Sequence, residues 1–327
     1  MKTFIPILFI IASCFNTSKE YPEVGKIEVL DPAMNKLFNP NAKVQILGEG
    51  MKWAEGPVWV KKGNYLLCSD PSQNNIYKWN EKEGLTQFLN PSGYEGSSYY
   101  SSEPGTNGLI INQKGDLIAC DHGNRRISSI SLDTKKKTSL IDKWEGKKFN
   151  SPNDICQHPD GSYFFTDPPY GLPDRESDTK NKEIAQNGVY HLDKNRNVRQ
   201  IVSDLARPNG IALSPDAKKL YVALSDGSNP YIMQYTLDKG SVKGKGEIFI
   251  DFRKSFPNER LAADGFKFDR AGNLYAAAGD GVIVFNKSGK AIGRVRAGIH
   301  TANCAIGADG YMYLTSTDKL LRVKMGK

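Results

Sequence analysis

Glu55-Gly56-Pro57-Val58-Trp59-Val60-Lys61-Lys62-Gly63-Asn64-Tyr65-Leu66-Leu67-Cys68-Ser69-Asp70 is the first of six stretches built to one plan. A polar lead and a small residue come first, then an alternating apolar run, a turn and a second apolar run. The others run from Asn107-Gly108 to Asp121, Asn153-Asp154 to Asp167, Asn209-Gly210 to Ala223, Asp264-Gly265 to Ala277 and Asn303-Cys304 to Ser316. Successive leads lie 52, 46, 56, 55 and 39 residues apart. A glycine stands eight places after the lead in four stretches, as Gly63, Gly115, Gly161 and Gly272; Ala217 holds that place in the fourth, and Gly310 comes one place early in the sixth. Strand-type repeats of roughly 40–50 residues indicate propeller blades. The expectation is therefore an all-β fold, a six-bladed β-propeller.

Outside the leads, alternation and β-branched or aromatic enrichment predict strands at Leu117–Cys120, Tyr163–Thr166, Leu220–Ala223, Tyr231–Tyr235, Val282–Phe285 and Tyr311–Thr315. Turn signals separate them: Lys114-Gly115, Pro159-Asp160-Gly161, Ser214-Pro215-Asp216 and Asp309-Gly310. Helical periodicity is absent, and Glu81–Leu85 and Phe252–Arg260 are expected as loops or short turns. Two long insertions, 90–106 and 168–187, are either surface loops or covers over the mouth of the channel. A closed propeller must join its ends, so Lys43–Leu47 is expected beside Leu320–Val323 in the last blade.

The N-terminus reads as a targeting segment. Lys2 precedes an apolar run, Phe4 to Ala12, too short to span a membrane. It ends Ile11-Ala12-Ser13-Cys14, similar to a bacterial lipobox, which makes Cys14 the expected lipidation site of an exported protein. The expected division is 1–14 signal peptide, 15–38 tether and N-terminal extension, and 39–327 a single propeller. A membrane is expected to be met only through the lipid anchor. Of the remaining cysteines, Cys68 and Cys120 each lie thirteen residues after their lead, at equivalent places in neighbouring blades. Such places are too far apart to bond, so free buried thiols are expected. The net charge of +8 is spread along the 327 residues, and its densest run, Lys135-Lys136-Lys137, reads as a solvated turn. No aromatic–basic platform accompanies it, which argues against nucleic acid as a partner. The sequence carries no signal for an oligomeric state.

Equivalent blades place equivalent residues on one ring about the axis, and that ring reads Glu55, Asn107, Asn153, Asn209, Asp264, Asn303. Asn and Asp are poor strand formers. Local capping explains some of them, but Glu55 is no such capper. Two carboxylates with several amide oxygens and no His or Cys match a hard divalent cation, calcium first, with Zn2+, Mg2+ or Mn2+ as alternatives. His122, Asp167 and Tyr170 are further candidates for contact with a substrate, as is Asn107 of the ring. Arg125 and Arg126 are expected to pair with blade carboxylates. No Gly-x-Ser-x-Gly elbow exists to make Ser151 a nucleophile.

Taken together, Trp53-Ala54-Glu55-Gly56-Pro57-Val58-Trp59, Thr106-Asn107-Gly108-Leu109, Ala119-Cys120-Asp121-His122-Gly123-Asn124-Arg125-Arg126, Ser151-Pro152-Asn153-Asp154, Phe165-Thr166-Asp167-Pro168-Pro169-Tyr170-Gly171 and Arg207-Pro208-Asn209-Gly210 resemble the SMP-30/gluconolactonase family. The likeness is strongest to the bacterial gluconolactonases and covers roughly Gly48 to Thr315. It implies one catalytic cation, usually calcium, in the axial channel of a six-bladed propeller. It implies Glu55, Asn153, Asn209 and Asp264 as the residues around that metal, with Asp264 also the general base on water. The implied reaction is the opening of a sugar lactone. Two matters stay open at this level. Asp264 could act as base or as nucleophile. The same site could serve a phosphoester or aryl ester, or a propeller that binds sugar without catalysis.

Overall fold

A computed structural model describes residues 20–326. The described residues form six antiparallel sheets in sequence order, each a blade, and a separate two-stranded ribbon of Lys143–Trp144 with Lys147–Lys148. Blade one comprises Glu55–Val60, Tyr65–Asp70, Asn75–Asn80 and Gly84–Leu89, and blade two Thr106–Ile111, Leu117–Asp121, Arg126–Ile130 and Lys137–Ile141. Blade three comprises Ile155–Gln157, Tyr163–Asp167, Gly188–Leu192 and Val198–Val202, and blade four Pro208–Leu213, Lys219–Leu224, Tyr231–Asp238 and Ser241–Asp251. Ala263–Phe268, Leu274–Ala278, Gly281–Phe285 and Ala291–Arg296 make blade five; Asn303–Ile306, Tyr311–Ser316 and Lys319–Lys324 begin blade six. All six of the strands singled out in the sequence are strands. Residues 81–83 are the turn expected over 81–85, with the strand Gly84–Leu89 starting within the last two residues of that stretch, and Phe252–Ser255 is a single helical turn capped by the Asp251 carboxylate.

The N-terminal region completes the circle. Val44–Glu49 pairs antiparallel with Lys319–Lys324, with Val44 opposite Val323 and Leu320 opposite Gly48. This is the closure expected for Lys43–Leu47. The region ahead of it is more than a tether. Glu23–Val24 extends blade six beyond Val44–Glu49, and Lys26–Val29 adds a fifth strand to blade five against Ala291–Arg296. The sheets therefore begin at Glu23 rather than at residue 39, because Ile27 and Met34 supply apolar side chains to the core between blades five and six. The segment carrying Cys14 lies outside the described residues.

The core explains the sequence pattern. Apolar residues gather in six clusters, one at each junction between neighbouring blades. Successive residues of a strand face opposite junctions. Leu66 packs toward blade six and Leu67 toward blade two. Phe165 packs toward blade two and Phe164 toward blade four. Inner strands are thus buried on both faces and read as near-continuous apolar runs. Cys68, Cys120, Cys156 and Cys304 are free thiols, three of them fully buried.

Candidate active site

The first step in building the site is a bulge. In blades one, two, four and five the pairing of the innermost strand slips just at the lead, between Glu55 and Val58, Thr106 and Leu109, Pro208 and Ile211, and Ala263 and Phe266. The extra residue bends the strand and re-aims the lead side chain. The small residue after the lead is needed because neighbouring blades touch there. A Cβ on Gly56, whose φ is +45°, would lie 2.0 Å from the Asn107 carbonyl oxygen, and one on Gly210 would lie 2.3 Å from that of Asp264. The Gly108 amide donates to the Asn153 carbonyl at 2.8 Å, locking one lead to the next. The motif "lead, then glycine" is therefore a contact between blades.

Glu55, Asn107, Asn153, Asn209 and Asp264 all line one cavity of about 520 Å³ at the axis, together with Trp53, Tyr170 and Ser225. Asn303, the sixth lead, is turned away: its Oδ1 accepts from the Cys304 amide at 2.9 Å, and its side chain packs on Gly265. Among the described residues Glu55 is held only by long hydrogen bonds, from Trp53 Nε1 and from the Gly56 amide, both at 3.3 Å. Burial first, and then the charge of Asp264, push its carboxyl well above the usual carboxylate range. Burial first, then the charges of Asp154 and Glu103, raise Asp264 to about 7, while the Asn209 side chain opposes the shift. Among the described residues neither carboxylate forms an ion pair. Asn209 donates its Nδ2 to Ser225 Oγ at 2.9 Å, and that hydroxyl donates onward to the Ala263 carbonyl at 3.0 Å. This fixes the amide so that its oxygen is free for the cavity.

Other residues predicted from the sequence fall elsewhere. His122 is fully buried and does not line the cavity; it packs against Gly171, and its Nδ1 lies 3.6 Å from Glu103 Oε2. Burial, then the charge of Arg175, lower its pKa to about 3, so it is neutral. Asp167 is also fully buried, and its Oδ2 accepts the Asn150 backbone amide at 2.8 Å. Asp70, at the equivalent place of blade one, likewise accepts the Lys52 and Trp53 amides, at 2.6 and 3.3 Å. Both aspartates pin the segment that leads into an axial residue. Tyr170 lies on the wall, where burial and the charge of Asp264 raise its hydroxyl pKa and keep it protonated. Arg126 pairs with Asp121 at 2.9 Å, and Arg125 donates to the Phe149 carbonyl at 2.6 Å and meets Glu183 at 3.4 Å.

The sequence reading did not single out Glu103, Arg175, Arg207, Lys52 and Ser225, which also line the cavity. Glu103 and Arg175 come from the two long insertions, whose reach over the axis no local pattern encodes. Nor is Lys135-Lys136-Lys137 merely a solvated turn. Lys137 is 8% exposed, pairs with Glu95 at 2.8 Å and donates to the Pro91, Ser92 and Gly93 carbonyls, so it ties down the first insertion.

Below the ring, Asp154 is buried with its Oδ1 accepting the Ile155 amide at 2.8 Å, and the Lys267 ammonium lies 3.7 Å from its Oδ2. Lys267 also lines an opening of the opposite face.

The SMP-30/Gluconolactonase/LRE-like region matches residues 53–318 of this chain. A gluconolactonase of Zymomonas mobilis is 36% identical over 309 residues, covering 92% of this chain and 86% of its own. Regucalcin of Gallus gallus is 24% identical, covering 84% of this chain and 87% of its own. Among solved structures, a gluconolactonase of Xanthomonas campestris superposes with a TM-score of 0.80 at 26% identity, covering 94% of this chain and 99% of its own. The propeller, its axial cavity and these matches together place the chain in the SMP-30/gluconolactonase/LRE-like family.

Proposed function

We propose that the chain is a lactonase that opens a sugar lactone of the aldonolactone type with the help of one divalent cation, Asp264 serving as general base on water. Lactone hydrolysis is supported by the likeness to gluconolactonases across most of the chain. The observation that carries the metal-dependent part is the meeting of Glu55 and Asp264, buried and unpaired with any cation, beside the amides of Asn153 and Asn209.

Two carboxylates in one buried cavity repel each other, and a bound cation removes that cost. Among the described residues no three of His, Cys, Asp and Glu gather as a metal cluster, so a cation here rests on two carboxylates completed by neutral oxygens. Calcium suits such a set, since it accepts mixed carboxylate and amide oxygens. Glu55, Asn153, Asn209 and Asp264 would hold it. When bound, such a cation polarises the lactone carbonyl and offsets the negative charge that grows on its oxygen.

The chain's own groups supply the rest. Asp264, fixed by Asn209 and through it by Ser225, accepts the proton of the attacking water. Tyr170 adds an aromatic ring to the same wall, its protonated hydroxyl buried. Trp53, stacked on His300 with ring centroids 5.5 Å apart, gives a flat apolar wall for a ring-shaped substrate. The polar rim of Lys52, Arg175, Arg207 and Glu103 suits hydroxyl groups rather than an alkyl tail.

Acid release from D-glucono-δ-lactone by the purified chain, followed by pH-stat, tests the reading. Activity is expected to vanish with chelator and return with calcium. Asp264→Ala is expected to reduce kcat by roughly 10²-fold or more while the fold is kept. Chelator-resistant turnover would remove the cation, and a fully active Asp264→Ala would remove the base.

A further inference from the structure

Two insertions converge on one side of the cavity mouth. The first, 90–105, is fastened along its length. Asn74 Oδ1 accepts the Gly93 amide at 2.7 Å and Asn74 Nδ2 donates to the Tyr94 carbonyl at 2.8 Å. Asn124 Nδ2 reaches the Gly93 carbonyl at 2.7 Å, and Tyr94 stacks on Tyr100 with centroids 5.0 Å apart. With Lys137 on three of its carbonyls, this is a rigid platform. At its end stands Glu103, whose side chain is 14% exposed and lines the cavity. The second insertion supplies Arg175, whose Nη2 meets Glu103 Oε1 at 2.9 Å. The next residue, Glu176, binds Arg207 Nε at 2.8 Å, fastening this insertion to the rim as well.

The two oxygens of Glu103 are used differently. Oε1 is taken by Arg175. Among the described residues Oε2 accepts no hydrogen bond; His122 Nδ1 lies 3.6 Å from it, beyond hydrogen-bond range. Oε2 is not among the sealed-off polar atoms, so it opens on the cavity. Glu103 lines the same cavity as Glu55 and Asp264. Burial raises the Glu103 carboxyl to about 7 against the charge of Arg175, so above that pH it is a carboxylate held by one guanidinium, and its other oxygen, open toward the axis, is an acceptor for hydroxyl groups.

We propose that Glu103, positioned by Arg175, is the specificity-determining residue that accepts hydrogen bonds from the hydroxyls of the lactone substrate on the side away from its reacting carbonyl. This rests on the lactonase reading above and deepens it, by naming what in the pocket separates polyhydroxylated lactones from unsubstituted ones. A substrate lacking the hydroxyls leaves Glu103 Oε2 desolvated and unpaired. A site built to bind a hydroxyl rejects such an analogue for that reason. Glu103 is a binding residue here; Arg175 is a positioning residue that acts through it.

The test is steady-state hydrolysis by the full mature chain with calcium, using D-glucono-δ-lactone and δ-valerolactone as a pair. The readout is the ratio of their kcat/KM values. Glu103→Gln keeps the shape but loses the charge, and Glu103→Ala loses the acceptor altogether. Loss of a charge-assisted hydrogen bond should move the ratio toward δ-valerolactone by about 10-fold or more, mainly through the KM of the hydroxylated substrate. Arg175→Met should move it in the same direction by less. A ratio that shifts by less than about 3-fold in Glu103→Ala, whatever the absolute rates, would overturn the assignment. So would a change confined to kcat. If the unaltered chain hydrolyses neither lactone, the lactonase reading itself falls, and this inference with it.

Discussion

At the scale of single residues, burial decides which carboxylates serve the axis and which serve the frame. Glu55 and Asp264 line the same cavity, whereas Asp167, equally buried, spends its Oδ2 on the Asn150 amide. The sequence offered all three as candidates for the site, but only the packed chain separates their roles. Asp167 is a case where the cost of burial can be read by titration. Burial, offset by the Asn150 and Ser151 amides, raises its carboxyl to about 7. A raised carboxyl binds its proton more tightly in the folded chain than in the unfolded one. Its charged form therefore costs nothing below the ordinary value near 4, and the cost grows as pH rises from there through about 7. Asp167→Asn keeps an acceptor for the Asn150 amide without the charge. The stability of this variant relative to the parent should rise from near zero at about pH 4 toward a ceiling of ~4 kcal/mol above pH 7, read by denaturant titration across pH. A difference independent of pH would show that the Asp167 carboxyl is not raised. His122 teaches the complementary lesson. Its neighbours in sequence suggested a contact with the substrate, yet it sits behind Glu103, and the residue exposed to the cavity is the glutamate.

At the scale of elements, the turn of the repeat keeps one geometry in five blades, while in blade one the positive φ falls on Asn64, at +51°, one place after Gly63. In blades two, three and five the glycine eight places after the lead has φ between +86° and +95°, and Gly310 in the sixth has +81°. Ala217 holds the same place in blade four and is forced to φ +56°, with its amide donating to the Ser214 carbonyl at 2.8 Å, as Gly115 does to Asn112 at 2.9 Å. An L-residue in that conformation is strained by about 1–2 kcal/mol, part of which glycine gives back through its freer unfolded chain. Ala217→Gly should therefore stabilise the protein by about 0.5–1 kcal/mol, raising the thermal midpoint without altering turnover. A destabilised variant would mean that the turn is not under strain. The strands and turns were legible because they obey local rules: period-two burial, β-branched residues, and glycine or Asp-Gly at reversals. The bulges at Glu55, Asn107, Asn209 and Asp264 were visible only as a recurring "lead, then glycine". Their reason, the lead residue of the next blade pressing on that glycine, through its carbonyl at Gly56, Gly108 and Gly210 and through the Asn303 side chain at Gly265, belongs to a contact between elements some forty to fifty residues apart.

For the molecule as a whole, closure is the governing event. The strand Val44–Glu49 reaches across the chain to Lys319–Lys324, and with it Val44 and Leu47 enter the cores on either side of blade six. Deleting residues 38–48 removes this strand, opens the ring and exposes both cores. The truncated chain should lose its single cooperative thermal transition by calorimetry, and a melting profile like that of the full chain would refute the role of the closure. The sequence by itself determined the six-fold repeat, the strand pattern, the pairing of the two ends and the ring of Glu, Asn and Asp leads. Each of these follows from alternation and spacing, which act over one or two turns of chain. Only the tertiary structure decided the rest. It showed that Asn303 turns from the axis to its own backbone, that Glu23–Val29 belongs to the sheets, and that Lys137 anchors an insertion. It also brought Glu103 and Arg175 together over the cavity from loops 72 residues apart. Such contacts depend on where whole blades stand relative to one another, and no local rule carries that information.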